Sequence, residues 1–513
     1  MSWNLLAHAL SMLVGLIFVS ITRSVSHIMA ARLSLRHIPG PPSSSYIWGE
    51  EWVLYHSIPG SPYLGWHKQF GKVVKFTGAF GHQVLSITDS RAISFILGEG
   101  IYSFPKPHGV RAWFKATLGE GILWVEGKDA HEKQRRILAP ALSHQSVRNL
   151  TPVFHETSAK VVAQWAKIFD QSHSEEVAIE ITNWAGRFAL DTIGRAAFSY
   201  NFNCLSGEHH DLAEALDGLT NNENKRSSFY MRALFWIFPP ILSIGEKGEM
   251  IRRSKQELGD IASKMWRDAK IAGDSDGRNL MAIMLRADLT SSHCMNEDQI
   301  VAQMRTTISA GYETVSAMIA WVLYEVASNA DLQTELREEV SNARDASFDD
   351  LNNKYPLLDS VLKETLRLHP AILENHHEAA ETMTVPLSEP LPGSSDMHII
   401  VPKGTILAIP INVLQTDTEV WGSDADVFRP GRWVEGNRTG ARPIHELLTF
   451  SQGPRSCVGK AFAIAEIKAL TIALLHHFSF TCPHEIEPFQ SFVVRPRVKG
   501  QGPSSLPLLV RKL

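Results

Sequence analysis

At 513 residues, with 44% hydrophobic and 20% charged side chains, the chain is long enough to bury a large core and has ordinary globular composition. A net charge of −4 without a long basic run speaks against a nucleic-acid partner. The four cysteines, Cys204, Cys294, Cys457 and Cys482, form no C-x-x-C pair, so zinc and a disulfide framework are poorly supported and a reducing compartment is expected.

The chain opens on an apolar run, Leu5 to Thr22, of about the minimum length for spanning a bilayer. No basic residue precedes it, as one would in a secretory signal, and Arg23, Arg32 and Arg36 follow it. A single uncleaved anchor over residues 1–23 is expected, with the rest of the chain on the cytosolic side. Residues 24–45 are a basic, proline-rich linker, stiffened by Ile38-Pro-Gly-Pro-Pro42, and residues 46–513 remain for one catalytic body. Val73–Phe76 and Val84–Ile87 read as strands about a turn at 78–81, a hairpin without chemistry. Phe104 to Trp124 is predicted irregular. Gly98-x-Gly100 and Gly119-x-Gly121 lack the third glycine of a dinucleotide loop. Between Gly127 and Pro140, His131 and Arg135 are four apart and share a helix face. Residues 151–290 are predicted as amphipathic helices with charged connections, interrupted by the aromatic run Phe229–Ile241.

Asn296 is a good N-cap for a long helix from Glu297 to about Ala330, with Asp298 in its first turn. Inside that helix lies Ala310-Gly-Tyr-Glu-Thr314. Gly311 is a poor interior residue, and the Thr314 hydroxyl can bond back to an upstream carbonyl. Tyr355 to Leu368 is the next helix, stopped by Pro370, and places Glu364 and Arg367 on one face. Near the C-terminus, Phe450-Ser-Gln-Gly-Pro-Arg-Ser-Cys-Val-Gly459 is a Gly/Pro-broken loop that runs into an apolar helix from Val458 to Phe478. Cys457 therefore sits at a helix N-terminus, where free amides and the helix dipole favour thiolate. Gly453 and Gly459 leave room for a flat cofactor, and Arg455 can meet an anionic group on it. From Phe478 onward the pattern alternates towards short strands.

The ten-residue loop resembles the F-x-x-G-x-R-x-C-x-G haem signature of the cytochrome P-450 family, with Phe450, Gly453, Arg455, Cys457 and Gly459 at its fixed positions. The resemblance extends to Ala310-Gly-Tyr-Glu-Thr314, which is similar to the family's oxygen-activation motif. It extends also to E-x-x-R at Glu364 and Arg367, and to Phe428-Arg-Pro-Gly-Arg-Trp433 with Arg432 as third member. It implies a mainly helical fold with a smaller β-rich part and haem b between the long helix and the cysteine helix. It implies Cys457 as the axial thiolate of the iron, which favours O–O cleavage. Thr314 and Glu313, with Ala310 and Gly311, become candidates for a proton relay to oxygen. Glu364, Arg367 and Arg432 become a buried structural triad. Arg135, and His131 in place of the family's tryptophan, are the candidates for one haem propionate. His377 is the nearest candidate for the other, where the family has arginine. The Phe229–Ile241 run matches a lid that dips into the membrane beside the substrate channel, and Val494-Arg-Pro-Arg497 resembles the last sheet of fungal members.

The implied activity is monooxygenation of a lipophilic small molecule, with fungal specialised, terpenoid-like metabolism as its setting. Nothing in the sequence binds NADPH or flavin, so electrons are expected from a separate NADPH–cytochrome P-450 reductase, with cytochrome b5 in an assisting role. The implied location is the endoplasmic reticulum membrane, spanned once. A haem-thiolate peroxide isomerase or peroxygenase, and a non-enzymatic haem sensor, are the competing readings, and neither needs the Glu313–Thr314 pair. Asn149-Leu-Thr151 and Asn437-Arg-Thr439 are glycosylation sequons that a cytosolic body would not use.

Overall fold

A helix of 31 residues, Glu297–Ala327, crosses the molecule and carries the core on most of its surface. Asn296 opens it with a reciprocal capping box: its side chain accepts from Gln299 N, and the Gln299 side chain returns to Asn296 N. In this computed structural model the described residues are 28–206, 226–273, 279–289, 295–434, 447–490 and 492–513, with Thr22, Ser26 and Leu216. The expected anchor over residues 1–23 lies outside them except for Thr22, as do Cys294 and the Asn437 sequon. Among the described residues no helix is long and apolar enough to cross a membrane.

Around the central helix lie the helices His144–Ser172, Ile181–Phe198, Gly245–Ala272, Pro356–Leu368 and Lys460–His477. Their apolar faces merge into one core that includes the fully buried Phe154, Trp165, Phe188 and Trp266. The closest crossing is between the central helix and Ile181–Phe198, and it depends on two glycines. A Cβ on Gly186 would stand 3.0 Å from the Tyr312 ring, and one on Gly311 would stand 3.2 Å from Ile193. Gly311 thus lets two helices approach, at a cost in intrinsic helix propensity of about 1 kcal/mol.

The β-rich part is smaller. Strands β1 (Val73–Thr77) and β2 (Gln83–Ile87) form the expected hairpin. The strands β3 (Glu176–Glu180), β4 (Glu374–Glu378), β5 (Met383–Pro386), β6 (His398–Val401) and β7 (Ile406–Pro410) follow in the chain. The tail adds β8 (Phe478–Thr481), β9 (Ile486–Gln490), β10 (Val494–Val498) and β11 (Pro507–Lys512). The main sheet has the order β1-β2-β7-β4, with β2 and β7 parallel and the other pairs antiparallel. β11 lies between β3 and β8, while β9–β10 and β5–β6 are separate hairpins.

Two expectations of local structure change. The segment 104–124 is not wholly irregular, because His108–Thr117 forms a helix entered through Pro107. The central helix stops at Ala327, three residues short of the expected end, where Asn329 caps the next helix.

Candidate active site

The loop before the last long helix is closed by its own backbone. Cys457 N donates to Phe450 O at 2.8 Å, and Ser456 N donates to Gly453 O at 3.0 Å. Ser451 and Gly453 adopt positive φ, 55° and 69°. A Cβ on Gly453 would lie 2.0 Å from Leu97 O, so this glycine is required by the packing of the loop on the helix Ser90–Leu97. At Gly459 a Cβ would meet the Cys457 sulfur at 4.0 Å and nothing else within that distance. The helix itself starts at Lys460, with Gly459 as N-cap.

Cys457 is exposed, yet it lies deep enough among protein atoms that burial raises its thiol above the ordinary range, against the Gly459 amide, Arg135 and Lys460. The helix terminus alone therefore does not make the sulfur a thiolate. A metal ion bonded to the sulfur would supply the missing positive charge. The same pattern marks the central helix, where Ala310 is exposed and Thr314 half-exposed although Tyr312 and Glu313 between them are buried. Ala310 and Thr314 are four apart and share a face. The Thr314 hydroxyl donates to Ala310 O at 2.8 Å, as the sequence led us to expect. Glu313 points elsewhere: its Oε2 accepts from Arg495 Nη2 of β10 at 2.6 Å, in a pair buried on both sides.

A cationic cluster lies beside the cysteine loop. Arg135 donates to Ser456 O at 2.8 Å and to Ser456 Oγ at 3.3 Å. Arg455 donates to Val125 O at 3.2 Å, pairs with Glu126, and lies 5.4 Å from the Tyr102 ring centre. Lys106 is paired with the same Glu126 at 3.0 Å. His131 Nδ1 is 3.2 Å from the Tyr102 hydroxyl. Burial first, then Arg455 and Lys106, hold His131 down to about pH 4, so it is neutral near pH 7. His377 is also held near 4, chiefly by burial, and its Nδ1–H donates to Phe104 O at 2.8 Å. As a neutral ring His377 keeps Nε2 as an acceptor, so it would bond a carboxylate only after taking up a proton. Tyr102, Lys106 and Glu126 were not singled out by motif reasoning; the spaced charges of Lys106 and Glu126 were the only signal for them.

These residues fit a flat, anionic, iron-bearing ligand. Arg455 Nε is a buried donor without a hydrogen-bond partner among the described residues, which a carboxylate would satisfy. The open space at Gly459 lies beside a sulfur donor suited to iron. Comparison with known proteins agrees, since the cytochrome P-450 family model matches residues 39–501. The chain belongs to the cytochrome P-450 family. It is an enzyme of the P-450 monooxygenase type, and the family implies haem. Its relatives are fungal: the monooxygenase claU of Ampulloclitocybe clavipes is 31% identical, over 95% of this chain and 94% of its own length. The monooxygenase claQ of the same species is 33% identical, over 92% of each chain. Cytochrome P-450 monooxygenase 205 of Postia placenta is 31% identical, over 94% of each.

The E-x-x-R pair and its partner meet behind the site. Arg367 donates to Glu364 twice, at 2.9 and 2.7 Å, and Arg432 Nε donates to it at 3.2 Å. Trp433 Nε1 and Arg429 N complete the carboxylate at 2.8 and 3.0 Å. The guanidinium of Arg367 also donates to Gln415 O and Val427 O, and that of Arg432 to Trp421 O and Asp424 O. With every charge bonded, the cost of burying the triad is offset.

Proposed function

We propose that this P-450 inserts one atom of O2 into a lipophilic, low-charge molecule in fungal specialised, terpenoid-like metabolism. Electrons come from NADPH through a separate reductase, assisted by cytochrome b5. Residues 1–23 anchor the chain in the endoplasmic reticulum membrane, 24–45 form the linker, and 46–513 face the cytosol. The observation that carries the reading is the exposed Cys457 sulfur just before the last long helix, with a buried, unbonded Arg455 donor two residues before it. Bound haem b supplies the redox-active iron on which O2 is activated.

The chain's own residues divide the remaining work. Cys457 ligates the metal, and Phe450, Gly453 and Gly459 hold its loop. Arg455 and Arg135 meet the propionates, joined by His131 and, once protonated, His377. Gly311 lets the central helix pack closely on Ile181–Phe198, while Ala310 and Thr314 share one face, where Thr314 presents a hydroxyl that holds and passes a proton. Glu313 supplies the second carrier when its carboxylate leaves Arg495. Glu364, Arg367 and Arg432 fix the helix and loop that position the cysteine. The ferrous–CO difference spectrum tests the ligand directly. Cys457→Ala is expected to lose the thiolate-specific band, whereas Cys204→Ala and Cys482→Ala keep it; a thiolate band in Cys457→Ala refutes the assignment.

A further inference from the structure

Lys106 lies between two prolines in a stretch that β4 holds from one side. Glu378 N donates to Pro105 O at 2.8 Å, the Glu378 carboxylate accepts from His108 N at 3.0 Å, and His377 donates to Phe104 O. On the other side stands Glu126, two residues before the helix Lys128–Leu138. Its Oε1 accepts from Lys106 N and from Lys106 Nζ, each at 3.0 Å. Its Oε2 accepts from Arg455 Nη2 of the cysteine loop. One carboxylate thus ties residues 104–108 to the loop that carries Cys457, and the three side chains are at most 18% exposed.

The charges of this bridge do not balance. Glu126 sets one negative charge against two cations, and donors are left over on both. Arg455 Nε is buried without a hydrogen-bond partner among the described residues, and there Lys106 Nζ donates to Glu126 alone. Nearby acids are engaged elsewhere, Glu378 on His108 N and Glu120 on Lys115. Burial lowers the Lys106 ammonium from 10.5 to about 8, with Glu126 opposing that shift and Arg455 reinforcing it. Two cations held this close, away from water, call for a second carboxylate.

We propose that Lys106 and Arg455 together hold one haem propionate, and that Glu126 is a stand-in for it, occupying both cations before haem arrives and competing for them afterwards. The proposal rests on the reading above only for the presence of haem b. Glu126 then has two opposed effects. Without haem it supplies the carboxylate that two crowded cations need. With haem bound it shares their donors and sets its own negative charge against the propionate, which cancels part of the attraction. A carboxylate placed only to brace the loop would behave differently, because breaking a structural ion pair from either side loosens the site in the same direction.

Haem transfer from the full-length holoprotein in phospholipid nanodiscs to excess apomyoglobin tests this. Lys106→Met is expected to speed haem loss and Glu126→Gln to slow it, each about tenfold, the order of one screened charge pair at close range. Lys106→Arg should stay close to wild type. Glu126→Asp, a gentler change that keeps the charge on a shorter arm, should lie between wild type and Glu126→Gln. In resonance Raman spectra the propionate bending band should shift in Lys106→Met and shift in the opposite sense in Glu126→Gln. The reduction potential of the iron should rise in Glu126→Gln, since a negative charge near it is removed. Unchanged or faster haem loss in both Glu126→Gln and Glu126→Asp overturns the stand-in, and an unchanged propionate band in Lys106→Met overturns the contact. All four variants should keep the thiolate-specific ferrous–CO band, so either failure leaves the haem-thiolate reading to be decided by Cys457→Ala.

Discussion

Thr314 and Glu313 are adjacent in the chain but occupy different environments, and that separates their effects. Thr314 lies on the half-exposed face shared with Ala310, while the Glu313 carboxylate is buried with Arg495. Thr314→Ala removes one hydroxyl and leaves the cysteine loop untouched, so haem loading and the CO spectrum should remain normal. Substrate affinity should change by no more than about 1–3 kcal/mol. Product per NADPH should fall by about 10²-fold or more, with a matching rise in peroxide, because the proton donor is gone. Unchanged coupling in a reconstituted assay with reductase would remove Thr314 from the mechanism. The Thr314 and Cys457 motifs were legible because their geometry is local: a helix turn in one case and a ten-residue loop in the other. The Glu313–Arg495 pair joins residues 182 apart, and no periodicity predicts such a partner. Gly453 shows the same limit, since a glycine in a loop does not reveal whether a ligand or Leu97 O occupies the space beside it.

Elements were legible where their ends carry chemistry. Asn296 and Pro370 bound helices as expected, and the β1–β2 hairpin forms where its two apolar runs flank the turn. β3 was missed because its partner, β11, lies at the other end of the chain, and the pairing that makes it a strand is long-range. The junction between the helix Ser61–Phe70 and β2 carries a pH-sensitive contact. His67 Nδ1 donates to Gly71 O at 2.8 Å, and its Nε2 lies 2.7 Å from Ser86 Oγ. Burial lowers its pKa from 6.5 to about 4. Between those values the unfolded chain binds a proton that the folded chain refuses, so this contribution is complete above pH 6.5 and is lost as pH falls towards 4. The loss by pH 4.5 is about 2–3 kcal/mol at most. Urea unfolding of His67→Gln should therefore show a shallower acid loss than wild type, and equal slopes would refute the assignment.

At the scale of the molecule, attachment and catalysis are separable. Deleting residues 1–36 removes an apolar run of about the length needed to span a bilayer, so most of the protein should leave the membrane fraction. Residual binding is expected through exposed apolar side chains such as Ile47, Trp52, Phe80 and Phe238. A truncated protein that stays membrane-bound after high-salt and alkaline washing would contradict the anchor. The last strand has another kind of consequence. β11 fills the gap between β3 and β8, and Leu506 N donates to Glu180 Oε1 from 326 residues away. On the ribosome, at about 5–20 residues per second, β3 must wait on the order of half a minute for that partner. Through that interval Val177 and Ile179 present an unpaired edge open to other nascent chains. The sheet is thus completed by a strand made long after its partner, and a truncation of β11 would act on biogenesis well before it acted on turnover.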